Sequence, residues 1–153
     1  DVVVRVTADD PFKEPTVIDR VIRKLIDEKY DLVTNNFPPS FPEGLDCEAF
    51  TFRVLELMEK TTQDLFEREH VTQYVYHNPD KFKMGNVASE AQLSSYRWTI
   101  DNTEDYEMVK AVYAKREKDT QGILLMDEIL EILKKNPEIP KLNSQVKRSA
   151  MYQ

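Results

Sequence analysis

Apolar residues along the chain fall into two rhythms, one of period two and one of period 3.6, and the alternation between them predicts a layered α/β protein. The chain opens with Val2-Val3-Val4-Arg5-Val6-Thr7, a nearly unbroken β-branched run that reads as a strand covered on both faces. A turn follows at Ala8-Asp9-Asp10-Pro11-Phe12. Thr16, with Asp19 three residues on, then suggests a capped helix start. Val17, Ile18, Val21, Ile22, Leu25 and Ile26 give that helix one apolar face. Asp31 to Thr34 reads as a short strand, and the three prolines of Asn35 to Pro42 make the next stretch a stiff loop. From Gly44 to Phe50 the pattern alternates: Leu45, Cys47 and Ala49 point inward, with Asp46 and Glu48 on an acidic opposite face.

The second half continues the alternation. A helix is expected over Thr51 to Lys60, and another from Asp64 until Asn78-Pro79, where proline bars its predecessor from the helical region. Phe82 to Val87 and Tyr96 to Ile100 read as strands. Asn102 with Asp105 caps a helix to about Lys115, a last helix spans about Leu125 to Lys135, and Asn143 to Gln153 is a polar tail expected to be loosely held.

Composition narrows the function classes. The 153 residues are 41% hydrophobic and 32% charged, as in a globular domain. A net charge of −7 with no basic stretch removes the electrostatic term that drives nucleic-acid binding. The single cysteine, Cys47, cannot form an internal disulfide and fits a reducing, cytoplasmic setting, where it reads as a small core residue. No window reaches the run of about 18 apolar residues that spans a bilayer. Only three glycines are present, so no glycine-rich phosphate loop lies within these residues.

The candidate chemistry is carboxylate chemistry. Ligands of open α/β sheets bind beyond the C-terminal ends of strands. Asp9 and Asp10 follow the first expected strand, and Asp101 follows Tyr96 to Ile100. Carboxylates meeting there would suit Mg²⁺, a hard ion that completes its shell with water and phosphate. The same residues also serve as turn and cap formers, because Asp-Pro is a common turn dipeptide and acids favour helix N-termini. Glu67-Arg68-Glu69-His70 offers Arg68 and His70 to an acidic sugar, or is a solvated helical turn. Asp46 and Glu48 suit sugar hydroxyls, or are ordinary exposed strand acids. His77 reads as a helix-end residue and Trp98 as core filling.

Val4-Arg5-Val6-Thr7-Ala8-Asp9-Asp10-Pro11, Asn35-Asn36-Phe37-Pro38-Pro39-Ser40-Phe41-Pro42-Glu43-Gly44-Leu45-Asp46-Cys47-Glu48, Glu67-Arg68-Glu69-His70-Val71-Thr72, Lys81-Phe82-Lys83-Met84-Gly85-Asn86 and Tyr96-Arg97-Trp98-Thr99-Ile100-Asp101-Asn102-Thr103-Glu104-Asp105 succeed one another along the chain. Together they resemble the cytidylyltransferase-like proteins of spore coat polysaccharide biosynthesis, relatives of the acylneuraminate cytidylyltransferases. The resemblance implies a Rossmann-like three-layer α/β/α sandwich of the nucleotide-diphospho-sugar transferase type. It implies a cytoplasmic enzyme that joins a nucleoside triphosphate, first of all CTP, to a sugar or sugar acid and releases pyrophosphate. Neither nucleic acid nor membrane is an implied partner; a homodimer is compatible. The family's Mg²⁺ aspartates fall on Asp9 and Asp101, and its acceptor side on Asn35, Asp46, Glu48, Arg68, His70 and Arg97.

Departures accompany the match. Ala8 stands where the family usually has Gly, Asp10 where a Cys, Glu or small residue is common, Gln73 where Pro often stands, and Asn102-Thr103 where an acidic residue and Pro are usual. The family's triphosphate loop, Arg-x-Gly-Ser-x-Arg-Leu-Pro-x-Lys, does not occur. The expected organisation is therefore the C-terminal portion of a nucleotidyltransferase domain over 1–142, inactive by itself, and a polar tail over 143–153. A glycosyltransferase using a ready-made nucleotide sugar, or a non-catalytic assembly module, are the rival readings.

Overall fold

The computed structural model describes residues 1–116 and 122–148. They form two compact units, each assembled from three separate stretches of chain. The first comprises Asp1–Arg5, Thr16–Asn35 and Cys47–Val87; the second comprises Val6–Pro15, Asn36–Asp46 and the chain from Ala88 onward. Both strand and helix are present as the alternating pattern predicts, and the class is α/β. Among the described residues no helix is long and apolar enough to cross a membrane.

The first unit is a mixed four-stranded sheet with its helices. Its strands are β1 (Val2–Arg5), β2 (Leu32–Thr34), β3 (Glu48–Thr51) and β4 (Met84–Asn86), in the order β1-β3-β2-β4. β3 runs antiparallel to both β1 and β2, whereas β2 and β4 are parallel. The first strand differs from expectation. It is an edge strand with Val2 and Val4 about 40% exposed, so only one of its faces is covered. A β-branched run favours extended backbone at an edge as readily as in the middle of a sheet, and cannot report how many neighbours it has.

Helix α1 (Pro15–Asp27) buries Val17, Val21 and Leu25, while Ile26 stays exposed, so its apolar stripe is narrower than the six residues predicted. It opens at Pro15, where a fixed φ and a missing N–H cost nothing, and Thr16 lies inside it, not at its cap. Helix α2 (Phe52–Thr61) starts as expected, with the Thr51 hydroxyl accepting the Val54 N–H. Leu32 and Phe50 of the sheet, Val54 and Met58 of α2, Val75 and Phe82 form a buried core. The single helix expected from Asp64 to Asn78 is broken into α3 (Leu65–His70) and α4 (Gln73–His77). The break is at Val71, whose φ of 57° no β-branched residue adopts without strain.

In the second unit, α5 (Thr103–Ala114) is capped by Asn102, whose Oδ1 accepts the Asp105 N–H at 3.0 Å. The N-terminus of α6 (Met126–Lys135) is met by two carboxylates: Glu128 accepts from Leu125 N–H, and Glu14 from Met126 N–H. Phe12 packs edge-on to Trp98 and stacks on Tyr113, which confirms Trp98 as core filling. The strand expected over Tyr96 to Ile100 is absent. Its N–H and C=O groups bond instead to two different segments: Glu43 N–H to Tyr96 O, Trp98 N–H to Glu43 O, and Ile100 N–H to Asp9 O. The contact with Glu43 ends after one bridge because Gly44, at φ 104°, turns away. A Cβ there would lie 2.7 Å from the Thr99 nitrogen and the Trp98 carbonyl carbon.

Asn143, expected to begin a loose tail, is 3% exposed and bonded into the second unit. Local polarity signalled solvent, but its amide finds buried acceptors far away in sequence. Residues 149–153 of that tail lie outside the described residues.

Candidate active site

Of the eight residues proposed from sequence, Asp9, Asp46, Arg97 and Asp101 fall in the second unit and Asn35, Glu48, Arg68 and His70 in the first.

The second unit is organised around Arg97. Its guanidinium is buried and faces three carboxylates. Nε donates to both oxygens of Asp105, at 2.9 and 3.1 Å, and Nη2 donates to Asp105 Oδ2 at 2.9 Å. Nη1 is paired with Glu43 at 2.9 Å, and Nη2 also bonds Asp101 Oδ2. Burial alone would lower the Arg97 pKa, but Asp105 and Glu43 overcome it and hold the pKa above its ordinary value. Asp105 is completely buried. Burial pushes its pKa up, yet bonds from Arg97, Asn143 and the Asp101 N–H outweigh that effect and leave it below the usual carboxylate range. One cation thus meets three carboxylates, and the cluster is acidic in sum.

Beside it lies Asp9. Its carbonyl accepts the Ile100 N–H at 2.9 Å and the Thr99 hydroxyl at 3.5 Å, which sets its backbone next to the residue before Asp101. One backbone hydrogen bond thus joins the turn at Asp9 to the residue before Asp101, and the neighbouring strand ends at which the two aspartates were expected to meet do not form, because Tyr96–Ile100 is not a strand. The Asp9 carboxylate is exposed and has no hydrogen-bond or ion-pair partner among the described residues. Asp101 is also exposed, and its Oδ1 takes no bond among them. Neighbouring Asp10 is different: it is buried, bonded by the Thr7 hydroxyl and paired with Lys13 at 2.6 Å.

Asp46 lies in the loop before β3. Its carbonyl accepts from Lys13 Nζ at 2.8 Å, and its carboxylate lies 3.9 Å from Arg148 Nη2. Arg148 also donates to Asn36 Oδ1 and to the Ser94 carbonyl. Burial pushes the Asp46 carboxyl up to about 7; Asp10 and Glu43 add to the rise, and Arg148 and Lys13 oppose it. With its folded pKa above the unfolded one, Asp46 binds a proton more tightly in the native state. Its contribution to stability is therefore full at low pH and declines as pH rises from about 4 to about 7. Asp46→Asn should raise the melting temperature at pH 8, where the buried charge costs on the order of 2–4 kcal/mol, and raise it by less than half as much at pH 5. Equal shifts at both pH values in calorimetry would exclude this titration.

In the first unit, Glu48 does not lie on an acidic exposed face. It is 5% exposed, because β3 is covered on both sides. Arg5 on neighbouring β1 pairs with it at 2.8 Å, the Thr72 hydroxyl donates to both its oxygens, and Tyr76 donates at 2.7 Å. Asn35 is buried, and its Oδ1 accepts the Cys47 N–H at 2.9 Å. Cys47 is buried too, as a core residue should be. Arg68 is exposed on α3 and paired with Glu59 at 3.2 Å. His70 ends α3 with its ring edge-on to Phe66, and His77 bonds Glu67 at 2.8 Å.

Glu43, Asp105, Asn143, Thr72 and Tyr76 were not anticipated. Asp105 did carry a local signal as the partner of the Asn102 cap, but the inward turn of its carboxylate did not. Among the described residues no group of three or more acidic, histidine or cysteine side chains is arranged to hold a metal by itself. Of the acidic residues that the sequence singled out in the second unit, Asp9 and Asp101 are exposed.

Comparison with known proteins bears on this arrangement. A sequence profile of the family described as Cytidylyltransferase matches residues 1–147. An uncharacterized protein of Methanocaldococcus jannaschii is 33% identical over 153 residues, 98% of this chain and 60% of that protein. The spore coat polysaccharide biosynthesis protein SpsF of Bacillus subtilis is 28% identical over 141 residues, 90% of this chain and 56% of SpsF. A solved cytidylyltransferase from Leptospira borgpetersenii serovar Hardjo-bovis superimposes with a TM-score of 0.82 at 32% identity, covering 97% of this chain and 60% of that one. The chain thus spans about three fifths of the length of these relatives, and over nearly all of its own length it belongs to the cytidylyltransferase family.

Proposed function

We propose that these residues form the acceptor-sugar and metal-binding part of a nucleotidyltransferase that joins a nucleoside triphosphate, CTP in the first instance, to a sugar or sugar acid for polysaccharide biosynthesis. The observation that supports this reading is the bond from Ile100 N–H to the Asp9 carbonyl, which joins the Asp9 backbone to the residue before Asp101 in one unit, both aspartates being exposed. Their oxygens fit Mg²⁺, which takes one or two protein carboxylates and leaves the rest of its shell to water and phosphate. When bound, such an ion neutralises charge on the phosphate under attack.

The reaction itself asks little covalent chemistry of the protein. A hydroxyl of the sugar attacks the α-phosphorus and gives up its proton to solvent, the bond from that phosphorus to the bridging oxygen breaks, and pyrophosphate leaves with the displaced electron pair. What the chain supplies is position and charge. Arg97 holds Asp101 from behind. Asp46 stands available to hydroxyl groups, and it loses its proton near neutrality. Arg68 and His70 are assigned to the acidic group of a sugar acid. Asn35 and Glu48, whose side-chain oxygens are already engaged within the first unit, shape the acceptor side by holding backbone and helix in place.

The test is a pyrophosphate-release assay on the protein with Mg²⁺, each nucleoside triphosphate in turn and a panel of neutral and acidic sugars. Release that needs both CTP and a sugar supports the proposal. Release of free sugar from ready-made nucleotide sugars would replace it with glycosyl transfer, and failure of any nucleotide or Mg²⁺ to bind would leave an assembly role.

A further inference from the structure

We propose that Asp105 and Asn143 are positioning residues for Asp101, acting through Arg97; the inference rests on the reading of Asp101 as a metal ligand. Arg97 is a buried cation confronted by Glu43, Asp101 and Asp105, and the three do not share it equally. Asp105 takes Nε and Nη2 together, the two-point geometry in which a guanidinium binds a carboxylate best. Glu43 takes the third nitrogen. Both are buried, with 6% or less of the side chain exposed, so each interacts with the guanidinium across a poorly screening interior. Exposed Asp101 receives one bond, from the Nη2 that already serves Asp105.

Asp101 is consequently oriented by Arg97 without being neutralised by it. Two buried carboxylates already face the guanidinium, Asp105 through hydrogen bonds and Glu43 through an ion pair at Nη1, and the negative charge left over belongs to the exposed group. Asp105 is fixed in turn: Asn143 donates to its Oδ1 at 2.8 Å and to the Arg97 carbonyl at 2.9 Å, and the Asp101 N–H donates to its Oδ2 at 3.2 Å. This last bond closes a loop, since the group being aimed contributes its own backbone to the group that aims it. A buried ion cluster of this kind is weak evidence for stability, because well-packed apolar residues often serve as well. Fixing the direction of an exposed carboxylate is something apolar packing cannot do.

The proposal predicts that removing the Asp105 charge hands the guanidinium to Asp101, which then competes poorly for a cation. Mn²⁺ serves as the probe, its binding to the whole protein read by water-proton relaxation, with thermal unfolding followed in parallel. Asp105→Asn should weaken Mn²⁺ binding about 10–100-fold, the range typical of partners standing behind metal ligands. Asn143→Ala, which leaves every charge in place, should weaken it less, and it carries the test if Asp105→Asn does not fold. A merely structural role would lower the melting temperature of both variants and leave their Mn²⁺ affinity unchanged, which overturns the inference. Asp101→Asn separates the two levels: weakened binding there with none in the other variants rejects only the positioning role, and unchanged binding there rejects the metal reading as well.

Discussion

In the complete enzyme, Asp9→Asn should reduce turnover by about a thousandfold, the upper range for loss of one electrostatic group at a reacting centre, while the melting temperature barely moves. The asymmetry follows from the structure. The Asp9 carboxylate makes no bond to the rest of the described protein, so the fold does not depend on its charge. Its backbone carbonyl, which does hold Ile100, survives the substitution. Exposed positions of this kind usually change stability by no more than about 0.5 kcal/mol. The paired measurement is steady-state pyrophosphate release and thermal unfolding on the same preparation. Full activity in the variant would strike Asp9 from the metal site.

Glu48→Ala should do the reverse, destabilising the fold by about 3 kcal/mol wherever the chemistry lies. The loss has three parts. Arg5 keeps a largely buried charge with its β3 partner removed, and the Thr72 and Tyr76 hydroxyls each lose a bond to a carboxylate. Glu48→Gln keeps an acceptor for the hydroxyls but turns an amide toward Arg5, and should fall between the two. Urea unfolding of the three proteins measures the series. A loss under about 0.5 kcal/mol for Glu48→Ala would mean that solvent reaches this carboxylate freely.

The elements most legible in the sequence were those whose signals are local. α5 announced itself through the Asn102 and Asp105 cap, and both α2 and α5 begin within a residue of expectation. Failures came where partner choice is remote. Nothing near Val2–Val4 states that the strand has a neighbour on one side only. Nothing near Tyr96–Ile100 states that its hydrogen bonds divide between residues 9 and 43. Val71 breaks a helix with no Gly, Asn or Pro to mark the place. The site divides in the same way. Asp9 and Asp101 stood out as acids after apolar runs inside recognisable motifs. Glu43 was hidden in a proline-rich loop, Asp105 behind its duty at a helix start and Asn143 in a polar stretch. All three meet at Arg97 from far apart in the chain.

The interleaving of the two units has a practical consequence. The polypeptide passes from one to the other at 5/6, 15/16, 35/36, 46/47 and 87/88, so neither unit is a contiguous stretch that a gene truncation could isolate. Each must close loops through the other's residues before its own contacts form, a requirement that slows folding and ties the fate of both together. A cut at any of those seams severs two structures at once, and libraries that recombine relatives of this protein will do best when crossovers avoid the first 88 positions.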